Sequence, residues 1–290
     1  MSIHPLTATC GDVIAADAEW PTLEQVPDRV VQDRFATRGV LVLRGFDANV
    51  RSFDTFARRF SKSFMPGVGR STFPEFKLVH LVNETLDALA PHTDNGTRPE
   101  DLRPDITWML CERPADADGE TTVFDGIAIW ERLSPPTQAV LRERTLMFST
   151  RYAAMAWRGM GFTTVDAFRT FVESMGATMK PPTPDGAVEI AIKTSAHRIT
   201  HYGSRDAFVS SLLLAGAKGF EQLRVSFEDG DVPADMLAEI TAAIDSSCER
   251  IEWVAGDIAM LDNTRILHGR RAYRDTQRRL YLLQTHKASF

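Results

Sequence analysis

Apolar positions along this chain follow two different periods. In segment 22–38, Leu23, Val26, Val30 and Phe35 recur at near-helical spacing, and Gly39 ends the run. Val40, Leu41, Val42 and Leu43 then form a continuous apolar block before Arg44 and Gly45, the signature of a strand buried on both faces. Phe53, Phe56 and Phe60 predict the next helix. Strands are predicted over 76–82, over 106–111 between Pro104 and Pro114, and over 121–124. Val188, Ile190 and Ile192 alternate with Glu189, Ala191 and Lys193, the period of a half-buried strand. Two more helices are expected, one through Val165, Phe168, Phe171, Val172 and Met175, the other through Met236, Leu237, Ile240 and Ile244 behind Pro233. Strand-like runs over 251–261 and 279–285 close the chain.

Segment 151–186 breaks this rhythm. Glycines and prolines surround one helical stretch, yet Tyr152, Met155, Trp157, Met160 and Phe162 are too apolar for a linker. It is expected to be an insertion packed over the core, with Trp157, Met155 and Met160 either lining a lid or filling the insertion's own interior. The whole pattern predicts one domain, residues 1–290. Its fold class is mainly β with flanking α: a double-stranded β-helix (jelly roll) core with outer helices and the insertion as a lid.

The 290 residues are 43% hydrophobic, enough for one large core. A net charge of -6 supplies no basic face for nucleic acid. No apolar stretch is long enough to span a membrane, and residues 1–20 do not have the form of a secretory signal. Cys10, Cys111 and Cys248 are odd in number and widely spaced, so neither a disulfide framework nor a zinc knuckle is expected. These features imply a soluble, cytoplasmic protein in a reducing setting.

The candidate chemistry lies in two places. His92-Thr93-Asp94 puts an imidazole and a carboxylate on one side of an extended segment, although such a pair also recurs by chance on surfaces. The second place runs from Gly256 through Leu261-Asp262-Asn263 to His268, where an apolar strand enters a polar turn and presents a histidine. Two histidines and a carboxylate can form the facial triad that leaves open positions on iron(II). Arg278 and Arg279 follow ten and eleven residues after His268, and one of them could clamp a carboxylate.

In these residues the chain resembles the TauD/TfdA-like family, within the clavaminate-synthase-like 2-oxoglutarate oxygenases. Val40–Phe46 resembles the family's early strand, His92-Thr93-Asp94 its H-x-D motif, and Gly119-Glu120-Thr121-Thr122 its Gly-x-x-Thr segment. The stretch from Leu261 through His268 to Arg279 resembles its distal histidine and cosubstrate arginine. The resemblance implies that His92, Asp94 and His268 bind Fe(II), and that Arg279 pairs with the C5 carboxylate of 2-oxoglutarate while Thr122 hydrogen-bonds it. It further implies O2-dependent oxidation of a C–H bond in a small molecule, releasing succinate and CO2. Retention of Asp94 argues against halogenation, which in related enzymes goes with loss of this ligand. Taurine-type relatives carry a further arginine four residues after the cosubstrate arginine; here that position is Leu283, which argues against sulfonates. A softer likeness to natural-product oxygenases such as carbapenem synthase points to a biosynthetic intermediate or amino-acid derivative. A catabolic dioxygenase of a small carboxylate, a zinc hydrolase on the same triad and a non-catalytic jelly-roll binder are the alternatives.

Other polar residues have competing readings. His80 and Asn83 could line the substrate cleft or, for His80, satisfy a core hydrogen bond. His197, Arg198, His201 and Tyr202 could hold a second metal only if helical, and the region is expected to be strand and turn. Arg270 is expected either near the cosubstrate or on the surface.

Overall fold

The computed structural model describes residues 2–66, 72–73, 75–82 and 85–288. Two sheets form its frame. The larger has nine strands, with Val40–Arg44, Ile258–Asp262, Ile106–Arg113 and Arg279–Ala288 side by side near its centre. The smaller runs in the order Cys248–Ile251, Thr121–Asp125, Ile266–Arg270, Leu89–His92.

Alternation along the central strands explains why their apolar runs are continuous. Leu41, Leu43, Met260, Tyr281 and Leu283 pack outward against Phe35 of helix Asp28–Arg38 and the phenylalanines of helix Val50–Phe60. Val40, Val42, Ala259, Leu280 and Leu282 turn the other way and meet Val123, Ile251 and Ile266 of the smaller sheet. Each strand therefore buries both faces, and a polar residue on either would leave a desolvated group. The smaller sheet has its own cover: Phe124 and Leu267 pack with Ile129 and Ile240 of helices Gly126–Arg132 and Ala234–Asp245. The protein is thus mainly β with helices outside both sheets.

Several boundaries differ from expectation. The run 251–261 is two strands in two sheets, because Val254–Asp257 forms a turn around the buried Asp257 carboxylate. That carboxylate accepts from the Val254 amide at 2.9 Å and from Arg44 Nη2 at 2.7 Å. The first helix begins at Asp28, with Pro27 at its N-cap, and Leu23–Gln25 is a separate short 3-10 turn. Strand Leu89–His92 was illegible in sequence. It is short, half-buried and contains Pro91, which a strand at the edge of a sheet tolerates.

The structural unit around 151–186 is larger than the sequence suggests. Helices Ala154–Gly159 and Val165–Ser174 lie beside a four-stranded sheet that includes Leu146–Tyr152, Val188–Thr194 and Leu223–Ser226. Trp157 belongs to its interior: it is 1% exposed, stacks on Phe168 at 5.6 Å, and its Nε1 donates to the Gly186 carbonyl at 3.0 Å. Met155 and Met160 are exposed.

Candidate metal centre

The edge strand Leu89–His92 pairs antiparallel with Ile266–Arg270, and the register sets His92 directly opposite His268. Their rings lie 4.4 Å apart between centroids. Close approach of the three neighbouring strands depends on Gly269. A Cβ there would sit 2.5 Å from the Leu89 carbonyl oxygen and 2.8 Å from Thr122 Oγ1, so no other residue fits without displacing backbone. His92 Nδ1 lies 2.9 Å from the Ala90 carbonyl. A carbonyl only accepts, so Nδ1 carries the proton and Nε2 keeps its lone pair for a metal.

Asp94 lies just past the end of its strand and is fixed from two sides. Its amide donates to Asn263 Oδ1 at 2.8 Å, and Asn263 Nδ2 donates back to the Asp94 carbonyl at 3.1 Å and to the Pro104 carbonyl at 2.9 Å. Thr107 Oγ1 donates to Oδ2 at 2.6 Å, while Oδ1 stands 3.8 Å from His268 Nε2. Burial works to raise the Asp94 carboxyl. The nearby charges of His268 and His92, with hydrogen bonds from Thr107 and Gln284, outweigh it and hold the group below its ordinary value.

One ligand atom from each of His92, Asp94 and His268 can be chosen so that all lie within 4.8 Å of one another. Among the described residues this is the only such convergence of three or more His, Cys, Asp or Glu. Two imidazoles and one ionised carboxylate, each oriented by a neighbour, fit the donor set of a facial iron(II) site.

A cavity opens beside the triad. Val82, Leu89, Met109, Leu280 and Leu282 line it, with Thr121, Arg270 and Arg278 as its polar groups besides the triad. Here two expectations are corrected. Arg279 does not face the cavity; its side chain is 58% exposed and reaches Glu112 at 3.4 Å on the outside. Arg278 is the inward residue, 2% exposed, sharing its face with Leu280 and Leu282. Its Nη2 donates to the Gly119 carbonyl at 2.9 Å and its guanidinium lies over the Tyr273 ring at 4.9 Å. Gly119 has φ +73°, and a Cβ there would crowd Tyr273 at 3.1 Å and Arg278 Nε at 3.3 Å. Thr122 likewise points away, on the face of Phe124 and the outer helices, whereas Thr121 lines the cavity. Thr121 Oγ1 accepts from Trp253 Nε1 at 3.0 Å, which leaves its own hydrogen to donate. In each case the cavity-lining residue lies one position from the expected one, and one residue is all it takes to cross a sheet.

The remaining polar residues are also placed. Arg270 lines the cavity, held by Thr85 Oγ1 at 2.8 Å and the Asp87 carbonyl at 2.7 Å. His80 is buried opposite Leu282 in the sheet register, outside the cavity lining. Asn83 lies outside the described residues. His197 contacts Asp206 at 2.5 Å and packs tilted against the Trp130 ring, while His201 pairs with Asp105 at 3.3 Å, so they serve separate partners. Sequence reasoning missed Thr107 and the supporting role of Asn263. Thr107 had one legible signal, a polar residue inside an apolar strand run.

The family described as taurine catabolism dioxygenase TauD, TfdA family, matches residues 2–286. A clavaminate synthase-like protein of Arabidopsis thaliana is 24% identical over 267 residues, covering 83% of this chain and 80% of the relative. Solved structures share the fold at low identity. AAD-2 in complex with Mn(II) and N-oxalylglycine has a TM-score of 0.62 at 17% identity, over 100% of this chain and 98% of that one. PvcB, an Fe, alpha-ketoglutarate dependent oxygenase from an isonitrile synthetic pathway, has a TM-score of 0.61 at 14% identity, over 96% and 87%. A taurine dioxygenase from Burkholderia xenovorans has a TM-score of 0.59 at 16% identity, over 98% and 88%. The chain belongs to the TauD/TfdA family, and with it to the iron- and 2-oxoglutarate-dependent dioxygenases.

Proposed function

We propose that the chain acts as one domain, residues 1–290, oxidising a C–H bond of a small molecule with Fe(II), 2-oxoglutarate and O2. His92, Asp94 and His268 hold the metal. Arg278 pairs with the C5 carboxylate of 2-oxoglutarate, and the Thr121 hydroxyl donates to it. The observation that carries this reading is a buried guanidinium on the wall of the cavity that the triad also lines. Neither a zinc hydrolase nor an inert scaffold requires a dicarboxylate clamp.

Iron(II) held there would activate O2, the oxidant, with one oxygen atom passing to succinate as 2-oxoglutarate loses CO2 and the other available to oxidise the substrate C–H bond. The chain's own residues position and enclose. Thr107 and Asn263 fix Asp94, the Ala90 carbonyl sets the His92 tautomer, and Arg278 orients the cosubstrate. Val82, Leu89, Met109, Leu280 and Leu282 keep the cavity wall apolar, which disfavours water at the reacting centre. The two facing sheets form the double-stranded β-helix, and segment 151–186 acts as its lid.

With the cosubstrate arginine at position 278, the position four residues later is Leu282, which faces the cavity. An apolar residue there supports a substrate without a sulfonate, such as a natural-product intermediate or an amino-acid derivative. The free thiols Cys10, Cys111 and Cys248 accord with a reducing, cytoplasmic setting.

Anaerobic titration of the metal-free chain with iron(II) and 2-oxoglutarate tests the assignment. A weak visible charge-transfer band is expected only when both are present. If no band forms and His268→Ala binds iron as tightly as the native chain, the assignment is wrong.

A further inference from the structure

Away from the cavity, two arginines each hold a buried guanidinium nitrogen that has no hydrogen-bond partner among the described residues. Arg103 sits on the far arm of the loop that carries Asp94, immediately before Pro104, whose carbonyl accepts from Asn263. Its side chain is buried, with the residue 2% exposed. Nε donates to the Arg98 carbonyl at 2.7 Å, but the buried Nη2 has no hydrogen-bond partner among the described residues. Arg198, on strand His197–Ile199, is half-buried, and its Nη1 is likewise buried and unpartnered among the described residues.

His201 links Arg198 to the segment that carries Arg103. Arg198 Nη2 lies 3.5 Å from His201 Nε2, and His201 Nδ1 lies 3.3 Å from Asp105 Oδ1, two residues beyond Arg103. The Asp105 carboxylate is thus engaged by the histidine, and Glu100 reaches Arg103 only through its charge. Among the described residues neither arginine has a carboxylate within ion-pair distance. Burial, and then the charge of Arg198, pull the Arg103 guanidinium down to about 10, against a weaker pull upward from Glu100. Burying one cation beside another is costly unless an anion joins them. Planar guanidiniums with unused N–H groups match the geometry of a carboxylate or phosphate oxygen pair.

We propose that Arg103 and Arg198 form a second anion-binding site, which takes the carboxylate or phosphate group of a small molecule beside the loop that mounts Asp94. The site is independent of the cosubstrate role given to Arg278, and the two stand or fall separately. Occupancy would brace the 93–104 loop, because the Pro104 carbonyl and the Asp94 backbone share Asn263.

Titration calorimetry on the full chain at low ionic strength tests this, with inorganic phosphate and acetate as separate probes. The native chain should bind at least one, and the tighter probe identifies the group. Arg103→Met and Arg198→Met should each weaken that binding at least tenfold, while Arg278→Met leaves it within twofold. Thermal melting covers a variant that fails to fold: the bound probe should raise the midpoint of the native chain and of Arg278→Met alike. Absence of binding and of any shift with both probes overturns the proposal. So does a response lost in Arg278→Met and kept in Arg103→Met.

Discussion

Arg278 and Arg279 are consecutive, yet their guanidiniums lie on opposite sides of the larger sheet. Arg278 is buried on the cavity wall, and Arg279 meets Glu112 at the surface. Arg278→Ala should therefore raise the dissociation constant for 2-oxoglutarate by a factor of about 30 or more, since a buried charge pair is worth about 2–5 kcal/mol when truncated. Arg279→Ala should change it less than about fivefold, because an exposed pair contributes at most about 1 kcal/mol. Intensity of the charge-transfer band against cosubstrate concentration reads both. Equal effects would remove the distinction.

The same logic separates two threonines. Thr121→Val removes a hydroxyl from the cavity, and a hydrogen bond to a charged group contributes about 1.5–3 kcal/mol. A rise of about tenfold or more in the concentration of 2-oxoglutarate needed for half-maximal turnover is expected. Thr122→Val should leave that concentration near the native value, and a larger effect there would return the role to Thr122.

Thr107 holds the Asp94 carboxylate, the proposed metal ligand, by donating to its Oδ2. Thr107→Val should weaken iron(II) affinity by about 10–100-fold, the usual scale for a group that orients a ligand. Asp94→Ala should abolish tight binding. Competition against a coloured chelator measures both, and unchanged affinity in Thr107→Val would show that the carboxylate keeps its position without Thr107.

Asp125 and Arg265 tie the smaller sheet to the helical side of the larger. Arg265 Nε and Nη2 donate to the two Asp125 oxygens at 2.9 and 2.6 Å, and Nη1 reaches the Thr37 carbonyl at 3.0 Å. Asp125 also caps helix Gly126–Arg132 by accepting from the Ile127 amide. Asp125→Ala leaves a buried guanidinium without its partner and should cost about 3–5 kcal/mol in urea unfolding. A loss below about 1 kcal/mol would mean that water replaces the carboxylate.

Asp262 gives the fold a pH dependence. Burial pushes its carboxyl up to about 6, opposed by hydrogen bonds from Thr264 and by the charges of Arg265 and His201. The folded chain then holds this proton more tightly than the unfolded chain, where the carboxyl titrates near about 4. The linked stabilisation is complete below about pH 4 and is lost as pH rises through about 6, a change on the order of 2 kcal/mol. An asparagine side chain at this position would keep an acceptor for Thr264 but carry no titrating proton. Asp262→Asn should therefore flatten unfolding free energy between about pH 4 and 7. An unchanged slope would assign the dependence to another group.

Local periodicity and residue chemistry were enough to define several parts of this protein. Val40–Leu43 read as a buried strand, and His92, Asp94 and His268 carried the donor types of an iron site. Periodicity separates the two faces of a strand but does not say which face meets the cavity. That choice belongs to the packing of the two sheets, whose facing and register turn Arg278 and Thr121 inward and Arg279 and Thr122 outward. Packing also splits 251–261 between two sheets, since Asp257 finds Arg44 from another strand. The pairing of His92 with His268 across the edge of the smaller sheet has the same origin: it rests on Gly269 admitting backbone where a side chain would not fit.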